Sequence, residues 1–572
     1  MTTIVVDRLL PSLSILCARA ADRYGSARRE SNEMTTSTTT LPIINTVEGP
    51  VQGALVEDVV AYMGIPYAAP PLGNLRWRAP QPVTPWTQTL PSNDQAPSCL
   101  QNRDLCIEVG GGDPLAMSED CLYLNVWTPQ PKAGAPKLPV MVWIHGGAYI
   151  IGAGRLPIYH GAPFVNRGAI LVTINYRMGA LGFLAHPALE KEVTVEQQRI
   201  YNFGLLDQIA ALEWVQRNIE KFGGDPNNVT IFGQSAGARS VLALFASPLT
   251  KDREKPLFHR SIAQSVYRTA EASREKALER GTRLAEVVLG LEKGQGATAT
   301  LAQLRGVEAE VLMNVPIDPA KDFKGTANSP VGIAGDVVLP GTDGILARFE
   351  KGEVAALPLI IGNTSDDGSV VLDQLKGNPS QIVTLAVTTT LVKRPKRYYL
   401  DLAEQESPDQ DELGRRLARD AFFTVATYRL AKAHSQRAPT WRYYFDYTAE
   451  NHRPFVTKGT RHGDEVGFVM DTLKYAPPFP PGQPQNPVTV TAKDYEVASS
   501  VSERWFNFAR TGEPSPEWPR QTAEADKTLL LGESISVATD FMQQHHEDAE
   551  FENMDAFNRV GTAMDNLMAG LG

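Results

Sequence analysis

Residues 231–238 read IFGQSAGA, which contains the motif Gly-x-Ser-x-Gly with Ser235 at its centre. A short β-branched and aromatic run precedes the motif, and an apolar run suited to a helix follows it. A strand, a sharp turn and a helix are the context in which this motif forms a nucleophile elbow. Because side chains beside the serine would block so sharp a turn, Gly233 and Gly237 are predicted to let strand and helix approach closely. The stretch therefore predicts that Ser235 projects from the end of a strand.

The chain around this stretch alternates between strands and helices. Residues 140–144 and 169–174 are continuous apolar runs, typical of parallel strands that are buried on both faces. Residues 205–222 carry apolar side chains at helical spacing. Further strands and helices are predicted at residues 357–362, 442–447, 271–291, 409–434 and, as an acidic terminal helix, from Asp540 onward. We predict an α/β fold with a large, mostly parallel, twisted central sheet, helices on both faces and helical insertions after the nucleophile.

The composition excludes several classes of function. A net charge of −10 leaves no basic stripe to neutralise phosphates, so nucleic acid is not an expected partner. No apolar run approaches the roughly 20 residues that a membrane span needs. The four cysteines contain no Cys-x-x-Cys pair, and the zinc-protease and P-loop motifs are absent. We therefore expect no metal and no cofactor.

The first residues of the chain differ from the rest. Residues 9–17 form a short apolar run followed by an Ala-x-Ala pattern, as in a secretory signal. A disordered leader, or a later start at Met34, explains the same residues, and these interpretations remain open. We predict a leader over residues 1–46 and a single domain over residues 47–572. The protein is expected to be secreted or periplasmic if residues 1–20 are a signal peptide, and cytoplasmic otherwise.

A serine nucleophile needs a base to take its proton and a third group to orient that base. In this kind of sheet the order along the chain is serine, acid, histidine. Three of the nine histidines precede Ser235, and His259 follows too closely for a strand carrying the acid to intervene. Among the others, His462 lies in a glycine-containing loop at residues 459–465 and is the best candidate for the base. His452 is the alternative.

The acid is predicted within residues 360–368, where a strand runs into a turn. Asp366 and Asp367 both fit this position. The competing interpretation is that both are turn residues before Gly368. The residues alone leave the choice between the two aspartates open.

The negative charge of a tetrahedral intermediate needs preorganised hydrogen-bond donors. One should be the backbone N–H of Ala236, directly after the nucleophile. Others should come from residues 145–148, which read HGGA after a strand, because Gly146 and Gly147 let the backbone approach the substrate oxygen. A simple tight turn would need the same glycines, but their order relative to Ser235 favours an oxyanion hole.

Dispersed motifs after Val47 resemble those of the type-B carboxylesterases, the cholinesterase-like branch of the α/β-hydrolases. The matching stretches lie at residues 64–68, 70–71, 75–77, 118–126, 143–147, 175–177, 182–184, 202–208, 222–226, 233–237, 258–260, 506–509 and 511–512. The resemblance implies the α/β-hydrolase fold and a serine esterase with Ser235 as nucleophile and His462 as base. The family's acid is usually a glutamate in Asp-Glu-Gly, and the matching triplet here, DDG at residues 366–368, selects Asp367. The same resemblance assigns the oxyanion donors to Gly146, Gly147 and Ala236.

Further features also follow from the resemblance. Cys99 and Cys121 match the family's loop-closing disulfide, which would form only in an oxidising compartment. Two buried ion pairs of the family are matched by Arg76 with Glu119 and by Arg177 with Asp207.

Several residues depart from the cholinesterase pattern. Gln234 replaces the glutamate before the serine, and no tryptophan lies between Cys99 and Cys121 to bind a quaternary ammonium. A choline ester is therefore not the expected substrate. The loop between those cysteines is polar and glycine-rich, which favours soluble esters over long triglycerides.

Two arginines suggest a more specific substrate. Arg239 lies one helical turn after Ser235, and Arg268 lies with Tyr267 in a loop that resembles one lining the acyl pocket. Arginine binds carboxylates bidentately, so an acyl group carrying a free carboxylate, as in a dicarboxylate or tricarboxylate ester, is one hypothesis. The competing interpretation is that both arginines pair with internal acids or face solvent.

The sequence thus predicts a carboxylic ester hydrolase acting on a soluble small-molecule or xenobiotic ester. An amidase or carbamate hydrolase with the same triad is the enzymatic alternative. A non-catalytic, cholinesterase-like binding protein is disfavoured because all three triad residues are present. The sequence does not determine the oligomeric state.

Overall fold

The computed structural model describes most of the chain. The described residues are 42–94, 96–130, 132, 134–193, 195, 198–268, 271–314, 332–370, 415–416, 418–476 and 489–542. The predicted leader up to residue 41 and the predicted terminal helix beyond residue 542 lie outside them, as does the start of the helix predicted at residues 409–434. A compact unit begins at Ile43, where the first strand lies. The predicted leader over residues 1–46 and single domain over residues 47–572 stay predictions.

The strands within the described residues are, in chain order, β1 (Ile43–Asn45), β2 (Pro50–Gln52), β3 (Ala54–Val56), β4 (Val59–Pro66), β5 (Leu90–Pro91), β6 (Ser98–Cys99), β7 (Met117–Ser118), β8 (Tyr123–Thr128), β9 (Leu138–Ile144), β10 (Ile170–Ile174), β11 (Gly224–Gln234), β12 (Arg260–Gln264), β13 (Leu359–Thr364), β14 (Thr440–Phe445), β15 (Lys527–Leu531) and β16 (Ile535–Thr539). Eleven of them form one sheet in the order β16-β15-β14-β13-β12-β11-β9-β10-β8-β4-β3. The pairs from β10 through β15 are parallel, and antiparallel strands extend the sheet at both edges. The predicted large, mostly parallel sheet is therefore present.

The α-helices within the described residues are α1 (Arg103–Glu108), α2 (Ala162–Asn166), α3 (Gly179–Gly182), α4 (Pro187–Glu190), α5 (Phe203–Asn218), α6 (Ala236–Ala246), α7 (Pro248–Lys251), α8 (Arg274–Leu289), α9 (Leu301–Arg305), α10 (Ala309–Asn314), α11 (Ile345–Lys351), α12 (Val425–Ser435), α13 (Val466–Met470) and α14 (Ala492–Thr511). A π-helix, Asp420–Thr424, leads into α12. The predicted helices at residues 205–222 and 271–291 correspond to α5 with a following 3₁₀ turn, and to α8.

The central strands are apolar throughout because both faces of the sheet are covered. Met141 and Trp143 of β9 pack in one hydrophobic cluster with Trp505 of α14. Val140 and Val142 alternate with them, point to the other face and are equally buried. A strand with one exposed face would alternate apolar and polar residues. The continuous apolar runs in the sequence therefore correctly indicated a sheet that is covered on both faces.

The candidate site lies at the carboxyl edge of four strands that are close in the sheet. The loops after β9, β11, β13 and β14 carry the predicted oxyanion glycines, the nucleophile, the acid and the histidine. Since parallel strands end at the same edge, residues that are distant in sequence meet there.

Candidate active site

Ser235 lies in the sharp turn between β11 and α6, with a backbone φ of +57°. The left-handed region is unfavourable for a serine and marks a strained position. A Cβ on Gly237 would lie 2.0 Å from the carbonyl oxygen of Ile144, and one on Gly233 would lie 2.6 Å from the same oxygen. Both glycines are thus required sterically, as the motif predicts.

The backbone on both sides of the turn is hydrogen-bonded. The Ser235 N–H donates to the Gln264 carbonyl of the neighbouring strand at 2.8 Å. The Ser235 carbonyl accepts from the Arg239 N–H at 3.0 Å, which begins the hydrogen bonding of α6. Ser235 is 8% exposed, so the residue is sheltered without being sealed from the surface.

His462 meets Asp367 in the loops after β13 and β14. Its Nδ1 lies 2.8 Å from the Asp367 Oδ1, and the other carboxylate oxygen accepts the Thr364 N–H at 2.8 Å. Because an ionised carboxylate can only accept, Nδ1 carries the proton and the lone pair of Nε2 is the basic one. That Nε2 lies 3.2 Å from the side-chain nitrogen of Gln234.

The alternatives left open by the sequence have other partners. Asp366 forms an ion pair with Arg415 at 3.1 Å. His452 is half-buried near Asp464. The structure therefore brings Asp367, rather than Asp366, to the histidine predicted as the base.

Backbone hydrogen bonds join the acid loop to the histidine loop. The Asp366 N–H donates to the Thr460 carbonyl, and the Thr460 N–H donates to the Ser365 Oγ, both at 2.8 Å. The His462 N–H donates to the Ser369 Oγ at 3.2 Å. These hydrogen bonds fix the two loops relative to each other, although Asp367 and His462 are 95 residues apart in the chain.

The loop after β9 approaches the turn closely at Gly146. A Cβ there would lie 2.7 Å from the Gln234 carbonyl oxygen and 3.2 Å from the Cβ of Ser235, so glycine permits the approach. Gly147 has a φ of +101°, and a Cβ on it would lie 2.2 Å from the Ile151 carbonyl oxygen. Residues other than glycine are therefore excluded at both positions.

Two side chains orient the peptide groups of this loop. The Tyr176 hydroxyl donates to the His145 carbonyl at 2.7 Å, and the His145 Nδ1 lies 2.9 Å from the Gly146 carbonyl oxygen. In a trans peptide the N–H points opposite to the C=O. Holding these two carbonyls thus fixes the direction of the N–H groups of Gly146 and Gly147. Ala236 is the first residue of α6, where backbone N–H groups have no partner within the helix.

His145 contributes no charge to the site. Burial lowers its pKa to about 4, so the ring is neutral near pH 7. Its ring stacks on Tyr176 at 4.4 Å between centroids. The histidine is therefore a structural part of the loop rather than an acid or a base.

Two residues near His462 were not singled out by the sequence analysis. The Phe423 ring lies 5.2 Å from the imidazole. Glu465 is fully buried, and burial, with a further contribution from Asp367, raises its pKa to about 8. The only sequence signal for Glu465 was that it follows the predicted base, His462, by three residues. No sequence feature indicated that Phe423 lies near the imidazole.

The predicted substrate-binding arginines differ in their surroundings. Arg239 forms an ion pair with Glu271, and both side chains are buried. Its guanidinium also donates to the Tyr267 carbonyl at 2.9 Å and lies over the Tyr267 ring at 5.0 Å. Its charge is thus paired internally, as in the competing interpretation, and a role for Arg239 in substrate binding stays a prediction. Arg268 is half-buried, and its N–H donates to the Phe422 carbonyl at 2.8 Å.

Other expectations from the resemblance concern structure. The ion pairs Arg76–Glu119, at 2.6 Å, and Arg177–Asp207, at 2.7 Å, are present and buried. Cys99 and Cys121 are buried free thiols. Hydrogen bonding to the Cys99 side chain, and then burial, raise the pKa of Cys121 well above its usual range. The disulfide stays a prediction.

Within the ranges described above, no group of three or more His, Cys, Asp or Glu side chains is arranged to hold a metal ion. The same part of the chain contains no helix long and apolar enough to cross a membrane.

Comparison with known protein sequences finds one family across the chain. A sequence model described as the carboxylesterase family matches residues 40–550. Fumonisin B1 esterase of Sphingopyxis macrogoltabida is 34% identical over 506 residues, covering 83% of this chain and 84% of that protein. Para-nitrobenzyl esterase of Bacillus subtilis (strain 168) is 33% identical over 516 residues, covering 87% and 96%.

Solved structures show the same similarity. A PNB esterase structure is 30% identical, with a TM-score of 0.69, and the match covers 91% of this chain and 100% of that one. A carboxylesterase of Geobacillus stearothermophilus is 29% identical, with a TM-score of 0.69, covering 88% and 99%. These neighbours have the α/β-hydrolase fold, and the predicted fold class is confirmed.

Proposed function

The chain belongs to the carboxylesterase family, and we propose that it hydrolyses soluble small-molecule or xenobiotic esters through an acyl-enzyme on Ser235. It is a carboxylic ester hydrolase, like the relatives to which it is similar. The observation that supports the proposed mechanism is the 2.8 Å contact of His462 with Asp367, at the sheet edge where Ser235 occupies its strained turn.

The first half of the reaction forms the acyl-enzyme. The Ser235 Oγ attacks the ester carbonyl carbon while its proton moves to the Nε2 of His462. The carbonyl oxygen becomes an oxyanion and accepts hydrogen bonds from the N–H groups of Gly146, Gly147 and Ala236. When this intermediate collapses, the bond to the alcohol oxygen breaks, and His462 gives its proton to that oxygen.

The second half releases the acid. Water attacks the acyl carbonyl and loses a proton to the Nε2 of His462. The second tetrahedral intermediate collapses by breaking the bond to the Ser235 Oγ, which takes the proton back from the imidazolium. Asp367 keeps the ring oriented and stabilises its positive charge, without itself becoming protonated.

The test of this function is turnover of p-nitrophenyl acetate by the wild type and by Ser235→Ala. We expect kcat to fall by about 10⁴-fold or more, because the nucleophile is lost. Mass spectrometry of the rapidly acid-quenched wild type should show one added acyl group, and the variant should show none. Ser240→Ala is the matched control, since Ser240 lies on the same helix and its Oγ is hydrogen-bonded to Gln208.

Residual turnover in Ser235→Ala close to the wild-type value would contradict the proposal. Anilides matched to the aryl esters separate an esterase from an amidase. We expect the anilides to be hydrolysed far more slowly. Comparable rates would instead identify an amidase that uses the same triad.

An anionic acyl group stays a finer proposal, which rests chiefly on Arg268. Its backbone is hydrogen-bonded to the π-helix segment that places Phe423 against His462, which supports a position near the acyl group. If Arg268 binds a substrate carboxylate, Arg268→Ala will lower the kcat/KM ratio of anionic to neutral acyl esters by at least about tenfold. An unchanged ratio would contradict this part of the proposal.

A further inference from the structure

We propose that Gln234 is a positioning residue for His462 and that its neutral amide lets the site accept anionic esters. The inference rests on the proposed function, because it assumes that His462 is the base for Ser235. It adds a role for a residue that the mechanism above does not use.

The Gln234 side chain lies between the two catalytic loops. It is the last residue of β11, directly before Ser235, and is 7% exposed. Its Nε2 lies 3.2 Å from the Nε2 of His462. A Cβ on Gly146 would lie 3.0 Å from its Oε1, and one on Gly463 would lie 3.6 Å from its Nε2. The amide thus contacts the histidine loop at one end and the oxyanion loop at the other.

The direction of this hydrogen bond follows from the proton on Nδ1. Asp367 accepts that proton, so the Nε2 of the neutral imidazole has a lone pair and no hydrogen. Only the NH₂ group of the Gln234 amide can donate to it. The opposite orientation would place the amide oxygen against that lone pair and repel it.

This hydrogen bond uses the lone pair that must accept the Ser235 proton. Gln234 therefore holds the ring in its basic form in the resting enzyme and has to yield to Ser235 when a substrate binds. Because the amide bonds to the neutral imidazole, it favours that form over the imidazolium.

A carboxylate in the same place would have the opposite effects. It would stabilise the imidazolium of His462 at close range. It would also place a negative charge beside Gly146, where the oxyanion forms and where an anionic substrate would have to approach. The amide nitrogen and oxygen avoid both effects at nearly the same volume.

The first readout is the pH dependence of kcat/KM for a neutral ester, p-nitrophenyl butyrate. In Gln234→Glu we expect the acid limb to move to higher pH by about one unit or more, since a carboxylate within about 4–6 Å favours the charged ring. In Gln234→Met, which has similar length and no donor, the limb should move in the same direction by a smaller amount.

In the part of the chain that the structure describes, the other charged groups on the elements around His462 are common to all variants, so they cannot cause a difference. They are Asp367, Glu465, the pair Asp366–Arg415, the pair Arg461–Asp464, the pair Arg419–Asp420 and the pair Arg239–Glu271. Burial raises the pKa of Glu465 to about 8, so Glu465 titrates on the alkaline side of the pH profile. The acid limb of the profile is therefore the part that reports on His462.

The second readout is charge selectivity. We compare kcat/KM for mono-p-nitrophenyl succinate, an anion, with that for p-nitrophenyl butyrate. Gln234→Glu should lower the anion-to-neutral ratio about tenfold, the size expected for like charges roughly 10 Å apart at an effective dielectric constant near 20. Gln234→Met should leave the ratio within about twofold, because it changes no charge.

These outcomes separate the inference from the proposed function. If Ser235→Ala keeps its activity, the function itself fails. If Ser235→Ala is inactive and the acid limb and the ratio are unchanged in Gln234→Glu, only the inference is overturned. Should Gln234→Glu not fold, Gln234→Met decides alone, because an unmoved acid limb in that variant shows that the hydrogen bond has no effect.

Discussion

The nucleophile side of the site and the acid–base side are held in different ways. On the nucleophile side, β11 and the start of α6 approach β9 so closely that a Cβ on Gly233 or on Gly237 would meet the carbonyl oxygen of Ile144. On the acid–base side, Asp367 and His462 come from loops 95 residues apart that are joined by hydrogen bonds. On the nucleophile side there is no room for an added atom. On the acid–base side, the loss of one hydrogen bond leaves the other hydrogen bonds in place. The two sides should therefore respond differently to substitution.

The largest expected effect is Gly237→Ala. The new Cβ would lie 2.0 Å from the Ile144 carbonyl oxygen, and that backbone belongs to a central strand that cannot move easily. We expect a loss of about 5 kcal/mol or more in the free energy of unfolding, measured by denaturant unfolding and soluble yield.

The matched control for that variant is Gly463→Ala on the acid–base side. Gly463 has a φ of +87°, but the nearest atom to an added Cβ lies 3.6 Å away. Only the backbone strain of about 1 kcal/mol remains. Similar losses in both variants would show that the close packing at the turn is not what distinguishes the two sides.

The second prediction tests the acid. Asp367→Asn should leave folding nearly intact and lower kcat by about 10⁴-fold, because an amide that donates to Nδ1 favours the imidazole tautomer with a proton on Nε2. That tautomer cannot accept the Ser235 proton. The measurement is kcat for an aryl ester together with the melting temperature.

Asp366→Asn is the control for the acid. Asp366 pairs with Arg415, which is partly exposed, whereas the Nδ1 of His462 bonds to Asp367. We expect kcat to stay within about threefold of wild type, since the contact of His462 with Asp367 is kept and an asparagine oxygen can still accept from Arg415. A greater loss in this variant than in Asp367→Asn would reverse the assignment.

The nucleophile side of the site was predictable from the sequence because the residues that determine it lie close together in the chain. The motif at residues 233–237 specified the strand, the turn and the two required glycines, and the apolar runs specified the parallel strands. The order of the motifs reduced the nine histidines to five, and the glycine-containing loop then favoured His462. The residues alone could not separate Asp366 from Asp367, because a turn presents both, and the choice needed the family resemblance.

The long-range contacts were not predictable in the same way. Glu271 follows Arg239 by 32 residues, and no local pattern signals that the two side chains pair. The contact of Gln234 with His462 spans 228 residues. Such pairings depend on which loops the sheet brings together, and that information is not contained in the spacing of any one motif.

The third prediction concerns the oxyanion loop, which belongs to the nucleophile side but is oriented by a side chain. Tyr176→Phe removes the hydroxyl that donates to the His145 carbonyl and keeps the ring stacked on the imidazole. Loss of a whole oxyanion donor costs about 10²–10³ in kcat, and a donor that is only less well oriented should cost about tenfold. We expect KM to be nearly unchanged. A lower melting temperature with an unaltered kcat would show that the hydroxyl is only structural.

The smallest expected effect is on the acid–base side, at Ser369. Ser369→Ala removes the Oγ that accepts the His462 N–H at 3.2 Å, while the contact of His462 with Asp367 remains. A single neutral hydrogen bond contributes about 1 kcal/mol, so we expect kcat to fall by about fivefold. Ser365→Ala removes the acceptor of the Thr460 N–H and should act similarly. If the loops are held as one unit, the double variant will lose more than the product of the two single effects, whereas strict additivity would mean that the bonds act independently.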